Sequence, residues 1–185
     1  MAKNEQLWKK DLYKVGEEYI EARIIESLSD LILSLTLWKG GYTRNSAGKA
    51  FSSVKALMSA IIIANEEKLL NLAKDDKEKE WIKKKAHVVP THSMLALAQM
   101  LKKIGIDIVN LVRIGLDLHE YQYNGFEPDF SKYSRKEDVF ADLITVVEET
   151  SRVINTYFHK YEIKEISQKI AELLKELTEG SKQGK

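Results

Sequence analysis

The stretch from Leu95 to Gly125 constrains the fold more than any other part of the chain. It reads LALAQMLKKIGIDIVNLVRIGLDLHEYQYNG, and its apolar residues fall on nearly every face of a helix. A helix that is apolar on most sides is usually buried inside a protein. A polar stripe at three- and four-residue steps interrupts it, formed by Lys103, Asp107, Asn110, Arg113, Asp117 and Glu120. The pattern predicts one helix at the centre of a helical assembly, with its charges along a single seam.

The rest of the chain also favours helices, because Leu, Ile, Lys, Glu and Ala dominate and only 2 prolines occur. Apolar spacing predicts helices over about residues 4–39, from Thr43 to about Leu72, and from Ser134 to Tyr157. A capping box is expected at Ser134. The last apolar stripe is out of phase with the helix before it, which predicts a break near residues 159–162; its members are Ile163, Ile166, Ile170, Leu173 and Leu177.

These segments predict an all-α fold, arranged as an up-and-down bundle of four long helices with a short extra C-terminal helix. A length of 185 residues suits one domain. We expect residues 1–180 to form a single helical-bundle domain and residues 181–185 to be a frayed tail. The abundance of Lys, Glu and Ile, with no Cys, is typical of a thermophile's protein.

The charge balance and composition exclude several classes of function. The formal net charge is +1, from 29 basic and 28 acidic side chains, whereas a dedicated polyanion binder carries a large basic excess. Nucleic-acid contact would therefore depend on a local patch. Four histidines without clustered carboxylates and no cysteine predict no metal site and no cofactor. The apolar runs are far shorter than the roughly 20 residues that cross a bilayer, and no signal peptide is visible, so we expect a cytoplasmic protein.

Arg113, His119 and Tyr121 form the constellation with a chemical rationale. An arginine stabilises developing negative charge on phosphorus, a histidine exchanges protons near neutral pH, and a tyrosine hydroxyl orients or donates. These are the roles needed to cleave an RNA strand through its own 2′-hydroxyl without a metal.

A helical chain that carries Arg-x(4–6)-His, with Tyr two residues after the His, resembles the HEPN superfamily, many of whose members are metal-independent ribonucleases of toxin–antitoxin and defence systems. The segments GYTRNSAGKAFSSVKAL (Gly41 to Leu57) and LHEYQYNG (Leu118 to Gly125) are similar to its archaeal PaREP1-type branch. The resemblance implies that Arg113 stabilises charge, His119 transfers a proton and Tyr121 supplies an orienting hydroxyl. It also implies a homodimer.

A structural interpretation of the same residues stays open. In a regular helix a six-residue step leaves Arg113 and His119 about 120° apart, so they share a site only if the helix distorts near Gly115 or a second subunit completes the pocket. Arg113 is also spaced to pair with Asp117. His119 would then be a core histidine and Tyr121 a contact to the following loop.

A weaker anion site is predicted at Arg44 and Lys49. Both lie at the N-terminus of the second predicted helix, where backbone N–H groups attract anions. A phosphate-binding loop is excluded, because six residues separate Gly41 from Gly48 and Ala50 stands in the Ser/Thr position. The lysine run after Trp81 follows an acidic run and is interpreted as a solvated linker.

The sequence thus predicts a nucleic-acid- or nucleotide-associated accessory protein that forms a homodimer and whose partners are RNA, a nucleotide or another protein. Two alternatives remain. One is a metal-independent endoribonuclease that uses Arg113, His119 and Tyr121. The other is a structural subunit that binds a protein partner through the apolar stripe from Ile163 to Leu177.

Overall fold

A computed structural model describes residues 16–161 and 164–183, with side chains up to residue 179. This part of the chain contains α-helices, three short 3-10 turns and no strand. The all-α class is confirmed. The helices are α1 (Gly16–Lys39), α2 (Thr43–Ala64), α3 (Glu66–Leu72), α4 (Asp76–Lys85), α5 (Met94–Lys103), α6 (Val109–Asn124), α7 (Lys136–Tyr157) and α8 (Lys164–Gln183).

The helices α1 and α2 form an antiparallel hairpin. Gly40 and Gly41 form the turn between them, and Gly41 has the positive φ of 84° that glycine tolerates. Buried serines then join the two helices, because small side chains let the backbones come close. Their hydroxyls bond across the interface, at 3.0 Å between Ser27 and Ser53 and at 2.8 Å from Ser34 to the Ser46 carbonyl; these pairs lie seven residues apart on each helix.

The helix α2 is the centre of the assembly and packs against α1, α6 and α7. The prediction that the Leu95–Gly125 stretch holds this place is therefore wrong. By length and composition α2 could also cross a membrane, with a mean hydropathy of 1.4 over its most apolar window. However, 72% of that window is buried against the rest of the chain, as in the core helix of a globular protein. This feature alone assigns no location.

The predicted continuous helix over Leu95–Gly125 is in fact two helices, α5 and α6. Gly105 ends α5 with a positive φ of 91°, and the Ile106 N–H bonds back to the Leu101 carbonyl at 3.0 Å. The Asp107 carboxylate then accepts the Val109 N–H at 3.2 Å, which satisfies one free donor at the start of α6. A glycine and an aspartate two residues apart thus interrupt a sequence that is apolar on both sides.

Other boundaries also differ from expectation. The second helix ends at Ala64 because Asn65 interrupts it, and α3 continues separately to Leu72. The capping box at Ser134 is wrong, since α7 begins at Lys136 without a side-chain cap. The break near residues 159–162 is confirmed by a 3-10 turn between α7 and α8. Residues 1–15, which include most of the predicted start of the first helix, lie outside the described residues.

The helix α8 packs along α1, where Ile170 and Leu173 are buried in the core. The apolar stripe offered to a partner in one sequence hypothesis is therefore partly covered by the chain itself. The bundle of four long helices with a short C-terminal one is not confirmed. The described part of the chain contains eight α-helices, and α8 spans 20 residues up to Gln183.

Candidate functional site

The three residues of the predicted catalytic motif lie on α6 in three different environments. Arg113 is exposed, His119 is half-buried, and Tyr121 is buried with 1% of its surface exposed. The helix α6 is continuous through Gly115, so the two residues stay about 120° apart around its axis. Within one chain the structure does not bring Arg113 and His119 to the same cavity. Their catalytic roles stay a prediction.

Aromatic rings hold His119 in place. Its ring stacks on Phe51 with 4.0 Å between centroids, and the Tyr123 ring meets it edge-on at 5.1 Å. The buried Nδ1 atom of His119 has no hydrogen-bond partner among the described residues. A proton-transferring histidine usually has one ring nitrogen oriented by a carboxylate or carbonyl. His119 is thus positioned by stacking and lacks that orienting bond.

Tyr121 serves the packing between α6 and α2. Its hydroxyl lies 2.9 Å from the Thr43 hydroxyl, and its ring contacts Phe126 and Tyr133 edge-on. Thr43, which is the first residue of α2, therefore uses its hydroxyl for this contact, and the N-cap residue Tyr42 makes no side-chain cap. Both oxygens are engaged inside the fold.

Asp117 does not pair with Arg113 as expected, but with a lysine from another part of the chain. Asp117 binds Lys132, from the loop after α6, and this lysine also lies 3.2 Å from Glu120. The hydrogen bond to Asp117 raises the pKa of Lys132. The seam of charge on α6 thus anchors the following loop, and the exposed Arg113 is not part of that pair.

Arg44 and Lys49, the predicted anion site, both make structural contacts. The Arg44 guanidinium donates to the Gln122 carbonyl at 2.8 Å and to the Tyr123 carbonyl, at the C-terminal end of α6 where a cation is favourable. Lys49 pairs at 2.9 Å with Asp30, whose side chain is 9% exposed. Of the two, Lys49 also lines a cavity, and anion binding stays a prediction.

Two neighbouring cavities lie along one side of α2. Ser52 and Lys55 line both, so we call the pair the α2 groove. The first, of about 360 Å³, is lined by Leu37, Asn45, Gly48, Lys49, Phe51, Ser52, Lys55, His119, Gln122 and Tyr123. The second, of about 430 Å³, is lined by Tyr19, Arg23, Glu26, Ser52, Lys55, Ala56, Ser59, His87 and Val88.

The lining of the α2 groove carries more positive than negative charge. Its cations are Arg23, Lys49 and Lys55, and its carboxylate is Glu26, which pairs with Arg23 at 2.7 Å. Lys49 is paired as described above. No carboxylate within the described ranges lies within 4.0 Å of Lys55, whose ammonium instead sits 5.8 Å from the centre of the Phe51 ring. Lys55, at the junction of the cavities, is therefore the cation most available to an anionic ligand.

Each cavity also contains a tyrosine–histidine pair in edge-to-face contact. Tyr123 and His119 meet in the first at 5.1 Å, and Tyr19 and His87 meet in the second at 6.2 Å. Burial lowers the pKa of His87 against the opposing influence of Glu66. The second pair therefore carries a neutral imidazole at neutral pH.

Sequence reasoning missed most of this groove. The floor lies on α2 at Asn45, Gly48, Lys49, Ser52, Lys55, Ala56 and Ser59, which follow one another at helical steps. That stripe is readable in the sequence, but small residues at helical spacing are equally typical of a face that packs against another helix. In the structure Ser46 and Ser53 bond to α1 and line neither cavity, whereas Ser52 and Ser59 line the groove, where the Ser59 hydroxyl also lies 3.1 Å from the Tyr19 hydroxyl of α1. Arg23 and His87 gave no local signal.

No group of three or more His, Asp or Glu side chains in the described ranges is arranged to hold a metal ion. The family model of the archaeal PaREP1/PaREP8 family matches residues 22–144, which include both cavities of the α2 groove except Tyr19. No curated protein matches the chain. No solved structure matches it either.

Proposed function

The chain belongs to the archaeal PaREP1/PaREP8 family, and on that premise we propose that it is an RNA- or nucleotide-associated accessory protein that binds its ligand in the α2 groove. The observation that carries the proposal is the junction of two cavities at Lys55, with a tyrosine–histidine pair in each. Phosphate needs a cation, and a nucleobase needs a flat apolar ring; this groove offers both.

The two contacts differ in chemistry. Lys55 supplies an ammonium that pairs with no carboxylate in the part of the chain that the structure describes, and this leaves it available to a phosphate. Tyr123 has 65% of its surface exposed, so a base can stack on its ring without displacing a core residue. Stacking of a base on an aromatic side chain contributes about 1 to 3 kcal/mol and tolerates any base. The groove therefore favours ligands that combine a base with a phosphate.

The charge balance limits how strongly the ligand is held by electrostatics. The whole chain is near neutral at +1, and two of the three cations in the groove are already paired. Binding should therefore depend weakly on salt, with a slope of log K against log salt close to the −0.7 or so expected for one phosphate contact on a single strand. A strong salt dependence would indicate a surface other than the groove.

The test measures binding of a fluorescein-labelled single-stranded RNA of about twelve nucleotides by fluorescence anisotropy. Lys55→Ala should weaken binding about tenfold, which is a loss of about 1.4 kcal/mol. Lys103→Ala removes the same charge from an exposed site outside the groove and should leave binding unchanged. Absence of binding by the wild-type chain at low salt, or an equal loss in both variants, would reject the proposal.

A second candidate is the metal-independent endoribonuclease of the HEPN type. The observation in its favour is that His119 borders the same groove in which RNA would lie. Arg113 would have to come from a second copy of the chain, which is why a homodimer accompanies this candidate, and Tyr121 would act indirectly because its hydroxyl is bonded to Thr43. A cytoplasmic location would go with either function.

Cleavage and dimerisation are tested separately. A labelled RNA is incubated with the protein in EDTA, and the ribonuclease hypothesis expects cleavage that His119→Ala and Arg113→Ala each abolish while the helical circular-dichroism signal is kept. Equal persistence of the RNA with wild type and variants would remove this candidate. Light scattering over a dilution series tests the dimer, and a mass that stays at 21.2 kDa would exclude it.

A further inference from the structure

The two cavities of the α2 groove adjoin each other and are similar in chemistry. They share Ser52 and Lys55, and each sets the edge of one aromatic ring against another in a tyrosine–histidine pair, at interplanar angles of 89° for Tyr123 and His119 and 81° for Tyr19 and His87. Because each cavity contains a tyrosine–histidine pair and both cavities share Lys55, the arrangement is the one expected of repeated subsites.

The length of the groove sets the size of the ligand. From Gly48 in the first cavity to Ser59 in the second, this part of the floor follows α2 for about 16 Å at 1.5 Å per residue. Successive nucleotides in a stacked strand rise about 3.4 Å, so four to five nucleotides reach from one end of this stretch to the other. A mononucleotide fills one cavity and leaves the other empty.

The rim of the second cavity is held by a strained turn. Val89 has a φ of 51°, which β-branched residues rarely adopt, and its side chain is fully buried. This conformation leaves Val88 exposed at the rim beside His87. Strained backbone persists where the surrounding structure enforces it, and such residues cluster at binding sites.

We infer that the two cavities are subsites of one groove, which takes a single-stranded oligoribonucleotide of about four nucleotides with a base at each tyrosine–histidine pair and a bridging phosphate at Lys55. This inference rests on the proposed function and adds the ligand class and its length. The neutral His87 suits a base in the second subsite, because an uncharged ring edge can contact a base without attracting a phosphate in its place.

The experiment compares uridine monophosphate with oligouridylates of two, four and six units, each competing with a labelled RNA in anisotropy measurements on the full chain. The affinity should rise with length up to about four units, by about tenfold for the second base bound, and then level off. Because this length series uses the wild-type protein, it does not depend on whether any variant folds.

Variants then assign the two subsites. His87→Ala should reduce the affinity for the tetranucleotide to that for the dinucleotide, whereas Tyr123→Ala should weaken both ligands. His92→Ala, which removes an exposed histidine outside the groove, is the matched control and should change neither. Tyr19→Leu provides a second variant of the same subsite as His87, with the same expected result.

The outcomes separate this inference from the proposed function. If mononucleotide and tetranucleotide bind equally well, or if His87→Ala acts on both lengths alike, the groove is not two-part and the inference is overturned while ligand binding stands. If no uridylate of any length competes and the labelled RNA does not bind, the proposed function itself is rejected.

Discussion

The buried hydroxyl pair between Tyr121 and Thr43 assigns a structural contact to a residue that the motif alone would make catalytic. Tyr121 is 1% exposed, so its hydroxyl can reach few partners other than Thr43. A buried polar group that loses its partner is destabilised by its full desolvation cost, whereas removing both partners together costs less. Double-mutant analysis can therefore measure the contact directly.

We expect Thr43→Val to lower the free energy of unfolding by about 1 to 3 kcal/mol, because it leaves the tyrosine hydroxyl unpaired. Tyr121→Phe should cost about 1 kcal/mol, since Thr43 is only half-buried and can turn to water. The double variant should cost less than the sum of the two. Urea denaturation followed by circular dichroism measures all three. Additive losses would show that the two hydroxyls do not interact.

At the scale of the helices, the break between α5 and α6 depends on the backbone of Gly105. Its φ of 91° is strained for any residue with a side chain, although nothing lies within 4 Å of the position that a Cβ would take. Conformation alone, and not space, therefore decides the effect of a substitution there.

We predict that Gly105→Ala destabilises the protein by about 1 to 2 kcal/mol. Gly16→Ala is the matched control, because its position is equally open and its φ is not positive. Thermal unfolding of the two variants gives the comparison. An unchanged midpoint for Gly105→Ala would mean that α5 and α6 do not need this turn.

The packing of α8 on α1 can be tested in the same way. Leu173 is 5% exposed, and truncation of a buried leucine to alanine costs about 2 to 5 kcal/mol. Leu33, which is 46% exposed, offers a matched truncation at the surface that should cost about 0.5 kcal/mol or less. If Leu173→Ala and Leu33→Ala lower the free energy of unfolding, measured in denaturant, by similarly small amounts, the stripe on α8 is free to bind a partner.

At the scale of the whole molecule, His87 makes stability depend on pH. Burial lowers its pKa below the ordinary value of 6.5, so in mildly acid solution the unfolded chain binds a proton that the folded chain does not. The free energy of unfolding therefore falls as the pH drops below about 6.5 and is unaffected by this group above it. Carboxylates with a lowered pKa, such as Asp107, change the free energy of unfolding at a lower pH, so their effect is separate from that of His87.

We expect the melting temperature of the wild-type protein to fall between about pH 7.5 and about pH 5.5, and to fall less in His87→Gln. His92→Gln, at an exposed position, should follow the wild-type curve. Scanning calorimetry across the series provides the measurement. A rise in melting temperature toward acid pH, or identical slopes in all three proteins, would contradict the half-buried, neutral state of His87.

The amino-acid sequence determined the local features of this protein. Apolar residues at helical spacing specify the all-α class, Gly40-Gly41 specifies the first turn, and the loss of phase after Tyr157 specifies the last break, because each depends on a few neighbouring residues. The polar stripe from Lys103 to Glu120 was also predicted to lie along one side, and five of its six residues are exposed. The break at Gly105 was missed because apolar residues continue on both sides of it.

Only the tertiary structure decided which residues meet. The α2 groove joins Arg23, Lys55, His87 and His119, which lie on separate elements, and no periodicity relates positions that far apart. The partners of Tyr121 and Asp117 are likewise determined by the packing of α6 on α2 and on the loop that follows α6. Helix formation is governed by residues within one or two turns, whereas a binding site is assembled by the burial of distant faces against one another.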